Sequence, residues 1–505
     1  MPLLLVPFAS IVIYIGALAI YRVFFHPLRK YPGPILAALT EGYEAYYNIV
    51  KQGAFLVEIE RLHAVHGPVV RVGPNTLHFK DKKAFHDIYT HGRNLIKEPE
   101  FYHSLMSHCR ESSIGFTDPL EAKDRRSLLA PLFSRRSVVA LEYTIQTKID
   151  KLVTILEENY NSSDTSLDLS AAYRSLTLDI ITSYCFAEST NALDVPNFSH
   201  PMIIGQHDVL KRLWLQRHFP FLATFSLKAP QKLIRWLSPQ FEGYLELRTG
   251  FERHISRLIA DPESLSIAEH ETVYTYLLAP KSQDRPSLKS LVEEGFTLVG
   301  AGSDTTSCAC TVGTFYFMKN KSVRQKLLQE LSEAWPNKDR PISFEALEKL
   351  PYLTAFIRET LRLSPGIIHP LPRLTNGTAT TVIGDWAVPP ATSVTEMSIL
   401  FMHMNPDVYP DPGIFKPDRW LATADEEISE QLDDLSPFMR GPRICLGKNL
   451  AWCELYLIFA NMFRKLNLEL VIDEDTIEDY SRDYVDSFEP TWKKGYRAFI
   501  GAPRD

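Results

Sequence analysis

The sequence predicts a mainly α-helical domain with small β-sheets, preceded by one N-terminal transmembrane helix. Three observations carry this. An uncharged apolar run opens the 505-residue chain, most of the remainder keeps helical hydrophobic spacing, and two short stretches alternate like strands around turn residues. The totals agree with an ordinary globular body: 45% hydrophobic, 23% charged and 11% aromatic residues. The 54 basic and 61 acidic residues leave a net charge of −7, so no global cationic field would recruit nucleic acid. Six cysteines without a C-x-x-C pair argue against a zinc site or a disulfide scaffold and fit a reducing compartment.

The first element is the uncharged "LLLVPFASIVIYIGALAIY", Leu3 to Tyr21, about as long as a helix needs to cross the hydrocarbon core. Arg22, His26, Arg29 and Lys30 follow, and the positive-inside rule keeps them, with everything downstream, on the cytosolic side. A cleaved signal peptide would have a shorter apolar region with basic residues before it. Next, "HPLRKYPGP" places three prolines and a glycine among basic residues, which resists helix and strand and makes a stiff elbow. Residues 1–25 are therefore assigned to a transmembrane anchor, 26–40 to a proline-rich linker and 41–505 to one domain. Within it, 69–79 reads as a hairpin around Gly73-Pro74-Asn75, and 380–390 as a second one around Gly384-Asp385. Helical period marks 136–160, 165–187, 288–319, 320–335, 344–363 and 447–465.

Three stretches carry chemistry. In "GFTLVGAGSDTTSCACTVGTF" the run is apolar, yet Gly300 and Gly302 each cost a helix interior about 0.5–1 kcal/mol relative to alanine. Either something flat approaches the backbone there, or the glycines form a notch for another helix. Asp304 and Thr305 have the same two readings. They are a functional acid and hydroxyl, or Asp304 pairs with a neighbouring arginine while Thr305 bonds back to its own helix. In "FIRETLRLSP", Glu359 and Arg362 share a helix face, a pairing that becomes informative if a third group such as Arg419 of "FKPDRW" fixes it in the interior. In "FMRGPRICLG", Gly441 and Gly447 allow sharp turns on either side of Cys445, which lies near a helix N-terminus where amides and the backbone dipole favour a thiolate. Such a pinned thiolate is a good soft metal ligand, and Arg443 can meet an anionic group beside the metal.

Together, Phe438, Gly441, Arg443, Cys445 and Gly447 form F-x-x-G-x-R-x-C-x-G, which resembles the haem-binding signature of the cytochrome P450 family, the haem-thiolate monooxygenases. "AGSDTT" (301–306), Glu359-x-x-Arg362, Arg419 and "YPGP" are similar to further family motifs in the family's order, so the resemblance spans the chain. It implies the cytochrome P450 fold, with 41–505 as the catalytic domain. It also implies haem with Cys445 as axial thiolate ligand. Arg443, Arg373 of "HPLPR" and Arg126 of "KDRRSLLAPLFS" would hold haem propionates. Phe438 would pack beside the thiolate, with Gly441, Gly447, Ala301 and Gly302 also against the cofactor. Asp304 and Thr305 would relay protons, and Glu359, Arg362 and Arg419 would hold the core together. One departure stands out: the family commonly has Trp or His four residues before the propionate arginine, where this chain has Ala122, and Arg125 competes with Arg126 for the remaining contact.

The implied activity is insertion of one oxygen atom from O2 into a lipophilic small molecule, by hydroxylation or epoxidation. Electrons would come from NADPH through NADPH-cytochrome P450 reductase, with cytochrome b5 as an accessory donor. The resemblance to fungal members suggests secondary-metabolite biosynthesis, at the endoplasmic reticulum membrane with the domain on its cytosolic face. Two other classes remain: a haem-binding carrier or sensor without turnover, and a P450-type isomerase or dehydratase. Segments 98–115, 200–225 and 366–371 and the turn around Phe488 would shape the substrate site through Phe101, Tyr102, Leu105, Ile114, Phe116, Ile367, Ile368 and Phe488. His369 is either a substrate hydrogen-bond partner or a packed histidine.

Overall fold

The computed structural model describes residues 2–90, 95–160, 166–222, 225, 229–230, 232–233, 236, 242–279, 285–390, 393–421, 431–474, 476–481 and 483–501. It is mainly helical with small sheets. In chain order, the principal elements begin with α1 (Pro2–Ile20), α2 (Phe55–His66), β1 (Val69–Arg71), β2 (Thr76–Phe79), α3 (Lys82–Tyr89), β3 (Leu95–Lys97) and α4 (Pro99–Leu105). Then come α5 (Pro119–Leu129), α6 (Glu142–Asn159), α7 (Leu169–Phe186), α8 (Pro201–His218), α9 (Glu242–Ala260), α10 (Leu288–Lys319), α11 (Lys321–Ala334) and α12 (Pro351–Leu363). Strands β4 (Arg373–Thr375), β5 (Thr381–Ile383), β6 (Trp386–Val388) and β7 (Val394–Glu396) follow, then α13 (Lys448–Lys465), β8 (Asn467–Val471), β9 (Tyr484–Ser487), β10 (Glu489–Trp492) and β11 (Arg497–Gly501).

The transmembrane helix expected over Leu3–Tyr21 is not supported: among the described residues no helix is long and apolar enough to cross a membrane. Regular α-helix stops at Ile20 and passes into a wider π-helical turn, Tyr21–Phe25, whose Arg22 side chain folds back onto the Leu39 carbonyl. On α1 itself, Ile11, Val12, Ile13 and Ile15 are exposed. The elbow also differs from expectation. Pro27–Lys30 form a 3-10 turn, because His26 Nδ1 accepts from Leu28 N and Pro27 supplies a preset φ at the first position. The elbow is pinned to the sheets through Arg71 N to Pro32 O (2.8 Å) and Tyr31 Oη to Ala387 O (2.8 Å).

Both hairpins form as read: β1 pairs antiparallel with β2, and β5 with β6 across Gly384, whose φ of +59° needs a residue without Cβ. The larger sheet has the order β1-β2-β7-β4-β3, with β2 and β7 parallel. Its β3 and β4 bring Lys97 opposite Arg373. Two expected helices are each divided. Leu141 (φ −103°, ψ 13°) separates Arg135–Ala140 from α6, and Pro351 opens α12 afresh after Phe344–Leu347.

Helix α10 is the central rod, capped by Ser287 accepting from Ser290 N and buried against α7, α12 and α13. Its glycines serve that packing. A Cβ on Gly302 would lie 2.5 Å from Ile181 of α7, and one on Gly313 would lie 2.5 Å from Phe459 of α13. Gly302 is thus a notch for α7, and it also lines the cavity that Cys445 faces, so both readings of it keep an observation.

Candidate active site

The loop 436–447 is laid down at the head of α13, and its shape has two sources. Gly441 sits at φ +70°, and a Cβ there would fall 2.1 Å from Tyr89 O, so glycine is required on both counts. Gly447 is different from expectation: its φ is an ordinary −80°, and the left-handed residue on the near side is Met439 (φ +58°). A Cβ at Gly447 would meet only Cys445 Sγ, at an ordinary contact distance of 4.0 Å, so neither backbone angle nor crowding requires glycine there. Cys445 N donates to Phe438 O at 2.9 Å, closing the loop. Burial pushes the Cys445 thiol up, while the Gly447 amide, Arg126 and Lys448 pull it down.

Cys445 faces a cavity whose walls are mostly apolar, as those of a small-molecule site are. Phe438, Ala301, Gly302 and Thr305 line it too. So do four cations from four distant segments: Lys97 (β3), Arg126 (α5), Arg373 (β4) and Arg443. None of the four makes an ion pair with a described residue. Arg126 Nη2 donates to Ile444 O (2.6 Å), Arg373 Nη1 to Tyr102 Oη (3.0 Å), and Lys97 Nζ to Ile114 O (2.5 Å). Arg443 Nη1 is buried with no partner. Burial, then Arg373 and Arg126, lower Arg443 to about 10, and burial with the three arginines holds Lys97 well below its ordinary value. Uncompensated cations in an apolar void call for an anionic guest. The dianionic haem that the sequence motifs imply fits these residues: cations for its two carboxylates, a sulfur for its iron and apolar walls for its flat faces.

Sequence reasoning missed Lys97, whose only signal was a lysine inside the apolar "LIK" strand, and the structure makes it the fourth cation of the cavity; Ala122 is buried and does not line it. Arg125 does not compete with Arg126. It turns away, donating to Glu294 Oε2 and Ser290 Oγ at 2.7 Å each. Glu454 of α13 was also missed. It lines the cavity with Oε1 unpartnered, and burial, opposed by a Thr306 hydrogen bond, pushes it up to about 8.

Thr305 and Asp304 part company. Thr305 lines the cavity and donates to Ala301 O (2.9 Å), whereas Asp304 does not line it and stands 3.7 Å from Arg174. Burial raises both Asp304 and the neighbouring Glu489, and Arg174 opposes this in each. Both bonds of the packing alternative are thus present, with Thr305 still open to a guest.

Glu359, Arg362 and Arg419 do meet in the interior. Arg362 holds both Glu359 oxygens (2.8 and 2.9 Å), and Arg419 Nε adds a third bond at 3.1 Å. Arg362 O accepts from His403 Nδ1 (3.0 Å), and His403 Nε2 accepts from Ser436 N (3.1 Å), which ties the cluster to the cysteine loop.

On the guest side, Tyr102, Ile114, Ile367 and Phe488 line the cavity, while Phe101, Leu105, Phe116 and Ile368 do not; residues 223 and 224 lie outside the described part. His369 does not line it either. It is a packed histidine, 2.7 Å from Asp486 Oδ2 and stacked on Phe101.

Comparison with known proteins matches the family model described as Cytochrome P450 over residues 45–485. The chain is 32% identical over 504 residues to the cytochrome P450 monooxygenase sdnE of Sordaria araneosa, covering 97% of this chain and 96% of that one. It is 34% identical over 461 residues to the conidiogenone synthase PchP450 of Penicillium rubens (90% and 91%). It is also 32% identical over 487 residues to the tryptophan 6-hydroxylase fscE of Fusarium equiseti (96% and 94%).

Proposed function

The chain belongs to the cytochrome P450 family, and we propose that it is a haem-thiolate monooxygenase of fungal secondary-metabolite biosynthesis acting on a lipophilic small molecule. The family implies the haem, and the observation that carries the reading here is the convergence of Cys445 with four unpaired cations on one cavity. Bound there, haem would supply O2 activation, with the Cys445 thiolate donating electron density to its iron. Arg126, Arg373, Arg443 and Lys97 would bind and orient its carboxylates. The apolar residues Ile114, Ile367 and Phe488 would exclude water and position the guest. The Thr305 hydroxyl, already in the cavity wall, would accept from the guest side while it keeps its Ala301 bond and donate there on releasing it. Asp304, beside Arg174 and Glu489, would feed protons from the far side of α10.

The similarity to a conidiogenone synthase and a tryptophan 6-hydroxylase supports oxygenation of secondary-metabolite skeletons over the carrier and isomerase alternatives. Electrons from NADPH through a reductase, with cytochrome b5 as accessory, belong to the same proposal. So does attachment to the endoplasmic reticulum membrane, supported by the exposed apolar side chains of α1. Full-length protein with reductase, NADPH and 18O2 should give product bearing one labelled oxygen. Haem uptake without oxygen consumption across candidate lipophiles would overturn the monooxygenase reading. Flotation with vesicles that survives deletion of residues 2–25 would overturn attachment through α1.

A further inference from the structure

A second cavity stands against the first. The dividing wall is thin: Phe101 and Pro372 face the second cavity, while their neighbours Tyr102, Leu371 and Arg373 face the first. Five carboxylates, from Glu41, Glu44, Glu98, Glu100 and Glu396, line the second cavity against one guanidinium, Arg217. Some have work elsewhere. Glu98 caps α4 through Glu100 N and Phe101 N, and Glu44 accepts from Asn48 Nδ2 and lies 3.6 Å from His218 Nε2.

Glu396, at the end of β7, has no such occupation. It is 7% exposed, lines the cavity, and receives no hydrogen bond from any described residue. Burial and then Glu44 push its carboxyl well above the usual range. Glu41 at the mouth, desolvated and close to Glu44, is pushed up to about 7. The one guanidinium does not settle this excess. Arg217 Nε is itself buried without a partner, and its Cζ stands 5.3 Å over the Phe101 ring. A buried carboxyl without a counter-charge of its own, standing among further acids, favours a guest that brings a positive charge.

We propose that this cavity binds an organic monocation, an ammonium group carried on an apolar body, with Glu396 as its innermost counter-charge. Phe55 supplies an aromatic wall that suits the apolar body, while the Phe101 ring is already engaged by Arg217 and His369. A small metal ion is the weaker fit, because among the described residues no three acids, histidines or cysteines converge as metal ligands. The site is separate from the oxygenation chemistry, and its test does not depend on turnover.

The probe is benzyltrimethylammonium, which has no nitrogen lone pair to offer a haem iron, titrated calorimetrically into full-length holoprotein at low salt. Its uncharged carbon isostere, neopentylbenzene, is the control. Wild type should bind the cation. Glu396→Gln, nearly isosteric with the protonated acid, should weaken it at least tenfold. Arg217→Met, which removes the competing charge, should tighten it several-fold, and this arm decides if Glu396→Gln fails to fold. Neopentylbenzene should not distinguish the variants. An unchanged Soret band during the titration places the guest outside the haem cavity. No binding, equal affinity in all three proteins, equal affinity for both probes, or a Soret shift insensitive to Glu396→Gln would each overturn the proposal.

Discussion

The indole N–H of Trp420 donates to Glu359 Oε2 at 3.0 Å, on a carboxylate that Arg362 and Arg419 already hold from two sides. With Lys416 N at 2.8 Å from Oε1, every lone-pair direction of this buried acid has a donor. A charge removed from water in this way is stable only while all its partners stay in place. Trp420→Phe deletes one charge-assisted bond and should cost about 1.5–3 kcal/mol. Glu359→Gln leaves two buried arginines uncompensated and should cost about 3–5 kcal/mol, with haem loss. Denaturant unfolding with the haem absorbance followed in parallel measures both.

Acid should loosen the same region through His403. Burial and the adjacent Arg362 hold its pKa at about 3, against an unfolded value of roughly 6.5. Between those values the unfolded chain takes a proton that the native state refuses, so stability is full above pH 6.5 and falls as pH drops toward 3. The slope is about 1.4 kcal/mol per pH unit for this one group. His403→Gln, able to donate to Arg362 O and accept from Ser436 N, should flatten the stability profile between pH 6.5 and 5. An unchanged slope by thermal unfolding would assign the acid sensitivity elsewhere.

Cys445→Ser should abolish the red-shifted Soret band of the reduced, carbon monoxide-bound protein and all turnover. Lys97→Met should keep that band but lower haem retention during dilution, since one of four carboxylate partners is gone. Retention equal to wild type would remove Lys97 from the cofactor-holding set.

Thr305→Ala should raise peroxide release per NADPH consumed at least several-fold, because the hydroxyl in the cavity wall is lost while haem binding is not. Asp304→Asn should slow turnover with less peroxide leakage, since that carboxyl stands beside Arg174 and does not line the cavity. The ratio of NADPH, peroxide and product for each variant separates the two roles.

What could be read from the chain were the features whose causes are local. Helix α10 covers the 288–319 that its hydrophobic period marks, and both hairpins close on their Gly-containing turns. The cysteine loop and the Glu359–Arg362 pair likewise announce themselves over ten residues. What stayed illegible needs tertiary placement. Lys97 and Arg373 become neighbours only because β3 pairs with β4, and nothing near Arg125 or Arg126 says which one turns toward Glu294. The same holds for Gly302, whose close neighbour Ile181 lies more than a hundred positions away, and for His369, which depends on Asp486.

Phe488 occupies the tip between β9 and β10 at φ +75°, held there by Asp486 Oδ1 at its amide and by the Ile368 and His369 amides at its carbonyl. None of these tethers touches the ring. The backbone therefore dictates where position 488 projects, for every side chain that tolerates the positive φ, the β-branched ones excepted. Libraries confined to that single codon should recontour the reaction chamber like interchangeable tips on one handle, leaving the surrounding strands in register.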